Sequence, residues 1–202
     1  RRGRKTTHVV YGEDMGILAG DALLNYAFET AAAAFDEYPE KALQIGKAMK
    51  ILGNKAGIYG MLGGQVVDVK ETGHAVDKDV LDFIYALKTG ALLESSMMIG
   101  ATLAGADDES IALIEKVASK VGLAFQVQDD ILDVTSTAEV LGKPIHSDEK
   151  NEKTTYVTLL GIDKAEKIVE KESVEAIELL KSLPVRNDYL EWLLTQLIHR
   201  KK

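Results

Sequence analysis

Cysteine is absent from this chain, so neither a disulfide framework nor thiol chemistry can belong to its function. Proline is scarce: only Pro39, Pro144 and Pro184 occur in 202 residues, and the long intervals between them are rich in strong helix formers. No apolar run reaches the roughly 20 residues of a membrane-spanning helix. The longest, Ser95 to Ala106, suits a buried core helix. Positive charge is in the minority. The 24 Lys and Arg against 32 Asp and Glu leave a net charge of −8, which argues against a nucleic-acid footprint. Strand-like alternation, internal repeats, low-complexity tracts and Gly/Ser linkers are also missing, so nothing marks a domain boundary. The expectation is one all-α domain over residues 1–202, without a membrane span. No signal-peptide pattern opens it, and a cytoplasmic location is expected.

Helical periodicity places helices at about 12–36, 40–54, 56–72, 77–104, 108–136, 151–160, 163–182 and 187–199. Pro39 near a helix start and Gly73 beyond a helix end fit the usual punctuation. The least regular interior segment runs from Ser136 to Asn151. Glycines are frequent inside these helices, each costing about 1 kcal/mol against alanine. Close helix packing accounts for most of them, and Gly90 is the strongest candidate for a kink at a cavity.

One run carries the most chemistry: Gln126-Val127-Gln128-Asp129-Asp130-Ile131-Leu132-Asp133. At roughly 100° per residue, Gln126, Asp129, Asp130 and Asp133 share an arc about a quarter-turn wide on an otherwise apolar helix. Like charges at i,i+4 repel, and burying them unpaired costs several kcal/mol per charge. A cation should therefore sit there. Clustered carboxylates suit Mg²⁺, which takes one or two of them and completes its octahedron with water and phosphate oxygens. A solvated acidic surface face is the competing reading, and the apolar flanks argue against it.

A second pattern lies upstream. On a regular wheel, Lys88 falls beside Leu81, Ile84 and Leu92, while Asp79, Asp82 and Glu94 fall on the far side. A lysine on an apolar stripe must snorkel or meet an anion. Thr89-Gly90 follows it, and glycine there can loosen the helix. An acidic helix that binds metal and a helix bearing lysine make a diphosphate clamp, with Lys88 neutralising phosphate oxygens. Arg1 and Arg2 can grip phosphate with bidentate forks, and Lys143 and Lys153 lie just after the Asp-rich run.

Taken together, Arg1-Arg2-Gly3-Arg4, Gly12-Glu13-Asp14, Leu18-Ala19-Gly20-Asp21-Ala22-Leu23-Leu24, Gly64-Gln65 with Asp68, Lys88-Thr89-Gly90, Phe125 to Asp133, Leu141-Gly142-Lys143 and Lys153-Thr154-Thr155-Tyr156 resemble the short-chain trans-prenyl diphosphate synthase family, of the bacterial farnesyl diphosphate synthase (geranyltranstransferase) type. The resemblance implies an isoprenoid-synthase helical bundle around a central cavity, usually a homodimer. It implies condensation of isopentenyl diphosphate with dimethylallyl or geranyl diphosphate to give farnesyl diphosphate, with Mg²⁺ as cofactor. Asp129, Asp130 and Asp133 would form the second Asp-rich motif and hold metal. Lys88, Lys143 and Arg1 would hold the allylic diphosphate, Lys153 would guard its far side, and Arg2 would hold isopentenyl diphosphate. Lys88, Thr89 and Gln126 are the catalytic candidates, the last two presenting oxygens to the developing cation.

In that family the first Asp-rich motif directly precedes the paired arginines. The chain begins at those arginines, so the bundle is expected to be incomplete at its N-terminal side and the isolated 202 residues inactive. Alternative readings are a geranylgeranyl diphosphate synthase and a non-catalytic subunit of a heteromeric prenyl synthase. A terpene cyclase would need an Asn/Asp, Ser/Thr, Glu triad, which Asp107-Asp108-Glu109-Ser110 does not supply. A purely structural bundle leaves Lys88 and the Asp arc unexplained.

Overall fold

The computed structural model describes residues 3–137 and 153–198. Among these it holds helices and turns, with no strand. The elements are α1 (Thr7–Tyr11), α2 (Glu13–Ala32), α3 (Ala34–Glu37), a 3₁₀ turn (Pro39–Lys41), α4 (Ala42–Ala56), α5 (Met61–Lys70), α6 (Lys78–Tyr85), a π turn (Ala86–Gly90), α7 (Ala91–Leu103), α8 (Asp108–Thr135), α9 (Tyr156–Leu160), α10 (Ile162–Lys181) and α11 (Asp188–Ile198). No helix among the described residues is long and apolar enough to cross a membrane.

The 28-residue α8 is the central strut, about 42 Å long at 1.5 Å per residue. Asp107 starts it by accepting the Ser110 backbone N–H at 2.7 Å. Its apolar side packs α7 on one flank and α10 on the other. Val117, Val121, Ala124 and Val127 line that seam, all shielded from solvent. One core cluster joins Val127 and Ile131 of α8 to Leu81 of α6, Tyr156 of α9 and Ala165 and Val169 of α10. A second joins Ile114, Val117 and Val121 to Ala176 and Leu180 of α10 and Leu194 of α11. The first cluster lies towards the Asp-rich end of α8 and forms the floor on which the candidate site stands.

The broad helical layout agrees with the sequence reading, with several differences, one being that the helix expected over 151–160 begins only at Tyr156, capped by Thr155. An unforeseen short helix, Thr7–Tyr11, precedes the expected first helix, separated from it by Gly12 with a left-handed φ of +96° that suits glycine, and the expected helix itself is broken at Ala33. The helix expected from residue 56 starts at Met61, after a turn closed by Gly60 N–H to Gly57 carbonyl and Leu62 N–H to Gly57 carbonyl. The helix expected over 77–104 is interrupted by the π turn, which ends at Gly90, where a loosening of the helix was anticipated.

That π turn sits between two close backbone approaches. A Cβ on Gly64 of α5 would lie 2.5 Å from the Lys88 backbone nitrogen and 2.7 Å from Leu87 Cβ. A Cβ on Gly122 of α8 would lie 3.0 Å from Gly90 Cα. Glycine at 64, 90 and 122 thus lets α5 and α8 close on the turn from either side. Downstream, the extra residue in the π turn rotates the helix phase. Glu94, expected on the solvent side, is 9% exposed and pairs with Lys55 of α4 at 2.5 Å. Lys55 also meets Glu115 of α8 at 2.5 Å, pinning α4 to α7 and α8.

α2 behaves differently from the rest. It buries no residue and leaves Ile17, Leu18, Leu23 and Tyr26 exposed. A run of large apolar side chains of this kind is uncommon on a surface that stays in water.

Candidate functional site

A cavity of about 350 Å³ opens where α5, α6, the π turn, α8 and the Lys153-Thr154-Thr155 segment meet. Asp68, Lys88, Gln126, Asp129, Asp130 and Lys153 line it, with Leu81, Ile84 and Tyr85 as its apolar and aromatic wall. Lys88 therefore lies beside Leu81 and Ile84, as the wheel predicts, and it meets an anion rather than snorkelling to water. Its Nζ donates to Asp68 Oδ2 at 2.6 Å. Lys153 Nζ reaches both oxygens of the same carboxylate at 3.0 Å. Burial alone would push the Asp68 carboxyl up. Hydrogen bonds and charge from Lys88 and Lys153 outweigh it and hold Asp68 below the ordinary carboxylate value.

Asp130 is fixed from two sides. Both its oxygens accept from the Tyr85 hydroxyl, at 2.8 and 2.7 Å, and Oδ2 also accepts the Tyr156 backbone N–H at 2.9 Å. Tyr85 and Tyr156 stack in a tilted pair with centroids 5.6 Å apart, and the Tyr156 hydroxyl continues the chain to Asp82. Burial first, and then the Asp82 carboxylate, push the Tyr156 hydroxyl well above its ordinary pKa, so it stays a donor. Sequence reasoning missed both tyrosines. The i−3 spacing of Tyr85 from Lys88 was the available signal, since it puts both on one face of a helix.

Thr89 Oγ1 donates to Gln126 Oε1 at 2.7 Å, joining the π turn to α8. The three aspartates separate more than a single arc suggests. Asp129 and Asp130 line the cavity, whereas Asp133 is 2% exposed and absent from the described lining. Arg1, Arg2 and Lys143 lie outside the described residues.

Among the described residues no three His, Cys, Asp or Glu side chains are arranged as a metal cage. Mg²⁺ does not require one, because it settles for one or two carboxylates when phosphate and water supply the remaining oxygens. Asp129 and Asp130 on the cavity wall, with two lysines in the same cavity to take phosphate charge, are a donor set that fits an ion of this kind.

The chain is similar to several known proteins. The chain is 46% identical over 184 residues to a chloroplastic geranylgeranyl pyrophosphate synthase of Catharanthus roseus, covering 89% of this chain and 50% of that protein. It is 40% identical over 162 residues to a farnesyl diphosphate synthase of Geobacillus stearothermophilus, covering 80% and 54% respectively. The chain thus spans about half the length of the curated relatives it matches. Among solved structures it is similar to a geranyltransferase from Helicobacter pylori complexed with magnesium and isoprenyl diphosphate. The TM-score is 0.81 at 33% identity, covering 98% of this chain and 64% of that one. Residues 1–184 match the polyprenyl synthetase family, and the chain belongs to it.

Proposed function

We propose that these residues form the diphosphate-binding part of a trans-prenyltransferase that condenses isopentenyl diphosphate with dimethylallyl or geranyl diphosphate to give farnesyl diphosphate. The observation that carries this reading is the convergence of Lys88 and Lys153 in one cavity with Asp129 and Asp130. Cationic and acidic groups on one wall suit an anion that arrives with a divalent metal.

In this reading Lys88 and Lys153 bind the allylic diphosphate, with Lys143 and Arg1, and Arg2 holds isopentenyl diphosphate. Asp129 and Asp130 hold Mg²⁺ from the cavity wall, and Asp133, buried one turn on, stays behind them. When bound there, the metal supplies charge neutralisation to the departing diphosphate. As the allylic C–O bond breaks, Lys88 and Lys153 stabilise the negative charge that builds on the leaving group. The allylic carbon becomes cationic and the double bond of isopentenyl diphosphate attacks it. A proton is then lost, which the departing diphosphate can take. Thr89 donates its hydroxyl proton to Gln126 Oε1, so the Thr89 oxygen turns its lone pairs, and Gln126 Oε1 its remaining one, to the cation. Leu81 and Ile84 help exclude water from it.

The relatives named as geranylgeranyl diphosphate synthases favour a second reading, in which the product is one isoprene unit longer. A chloroplastic large subunit of a heterodimeric synthase from Arabidopsis thaliana, 41% identical, supports a heteromeric setting in the same way. The exposed apolar side of α2 supports association with another subunit, a second copy in the first instance.

Calorimetry tests the site. Geranyl diphosphate should bind this chain only with Mg²⁺, and Lys88→Ala should weaken it at least tenfold. Equal binding without the metal would contradict the reading. Chromatography of the product formed from isopentenyl and dimethylallyl diphosphates distinguishes farnesyl from geranylgeranyl diphosphate.

A further inference from the structure

In the sequence Asp68 belongs only to the Gly64-Gln65 motif, with no site role, yet two lysines of the site set, Lys88 and Lys153, meet on it. Its Oδ2 lies 2.6 Å from Lys88 Nζ and 3.0 Å from Lys153 Nζ, and its side chain is 13% exposed. Lys153 is 85 residues away along the chain, so the meeting is a product of the fold. The backbone prepares it. Gly64, one helical turn before Asp68 on the same face of α5, has no room for a Cβ against Lys88 and Leu87. That close approach delivers the Asp68 carboxylate to Lys88. Two ammonium groups brought to one cavity without a shared counter-ion would repel, and their flexible four-carbon stems would let them swing apart.

We propose that Asp68 is a positioning residue for diphosphate recognition, gathering Lys88 and Lys153 into one cationic pair and acting on the ligand only through them. The proposal rests on the reading of the cavity as a diphosphate site. It makes an unusual demand on sign. A carboxylate repels diphosphate, so deleting a bystander Asp68 would tighten binding through simple electrostatics. Deleting an organiser loosens it.

The test is calorimetry of inorganic diphosphate with Mg²⁺ on the 202-residue chain and its variants. Asp68→Asn keeps the shape and removes the charge. It should weaken binding at least tenfold in the wild-type background and threefold or less in the Lys153→Ala background, where no pair is left to gather. Equal or tighter binding by Asp68→Asn, or the same loss in both backgrounds, overturns the proposal. A cycle of Lys88→Ala and Lys153→Ala reads the pair without altering Asp68, should Asp68→Asn fail to fold. Organised as a pair, the two losses together fall short of their product by tenfold or more, whereas independent losses multiply and overturn it. If the wild-type chain binds no diphosphate with Mg²⁺, the cavity reading itself falls and takes this proposal with it.

Discussion

Replacing Gly64 with alanine should destabilise the protein, although the substitution improves helix propensity. The new methyl would lie 2.5 Å from the Lys88 backbone nitrogen and 2.7 Å from Leu87 Cβ, about 1 Å inside a relaxed contact. The nearest atom is backbone, so no side-chain rotation relieves the clash, and the upper end of the usual overpacking cost applies, about 3 kcal/mol. Alanine returns about 1 kcal/mol of propensity. The net loss of about 2 kcal/mol lowers the melting temperature by about 4–8 °C for a domain of this size. Gly46→Ala in α4 is the control. Nothing lies within 4 Å of its Cβ, so it should gain about 0.5–1 kcal/mol. Thermal unfolding followed by circular dichroism reads both. A Gly64→Ala variant that melts at or above the wild type would refute the idea that close approach, rather than chance, keeps glycine there.

Removing Glu94 leaves Lys55 with Glu115 alone. Glu94→Ala should cost about 1–3 kcal/mol in denaturant unfolding, less than the loss of a sole buried partner. Tyr85→Phe deletes the hydroxyl bonded to both Asp130 oxygens. It should cost about 1.5–3 kcal/mol in the same assay and weaken Mg²⁺-dependent diphosphate binding at least threefold. On pH, the depressed Asp68 pKa stabilises the fold above the ordinary carboxylate value of 3.8, and that contribution is lost as pH falls through the lower folded value. Asp68→Asn should therefore flatten the acid limb of a stability–pH curve. Lys55 runs the other way. Burial pulls its pKa down, but Glu115 and Glu94 outweigh it, so its contribution holds below 10.5 and is lost as pH rises past the raised value. Glu94→Ala should shrink the alkaline limb.

Local chemistry was readable from the residues where the helix is regular. That regularity runs through α6 as far as Tyr85 and places Leu81 and Ile84 on the cavity wall; Lys88 joins them from inside the π turn, and the bond from Thr89 to Gln126 was not foreseen. The wheel fails beyond Gly90 because it assumes one phase from end to end. The π turn inserts a residue, and Glu94 moves from the expected solvent side to a buried pair with Lys55. The roles of Asp68 and the two tyrosines were illegible for a different reason. Their partners are 20 to 85 residues distant, and only the fold brings Lys88 and Lys153 to Asp68 or Tyr85 to Asp130. Glycine was the most misleading residue type. Gly64 and Gly122 look in sequence like Gly46, yet a Cβ on either of the first two would crowd the π turn, whereas one on Gly46 would meet open space.

The central claim is that this cavity binds diphosphate together with a divalent metal held by the Asp-rich segment of α8. Calorimetric titration of inorganic diphosphate into the 202-residue chain, with and without Mg²⁺, and into Asp129→Asn, tests it most directly. The account predicts that wild-type binding requires Mg²⁺ and that Asp129→Asn weakens it more than tenfold, about 1.4 kcal/mol or more. Binding that ignores Mg²⁺, or an Asp129→Asn variant that binds like the wild type, would contradict it.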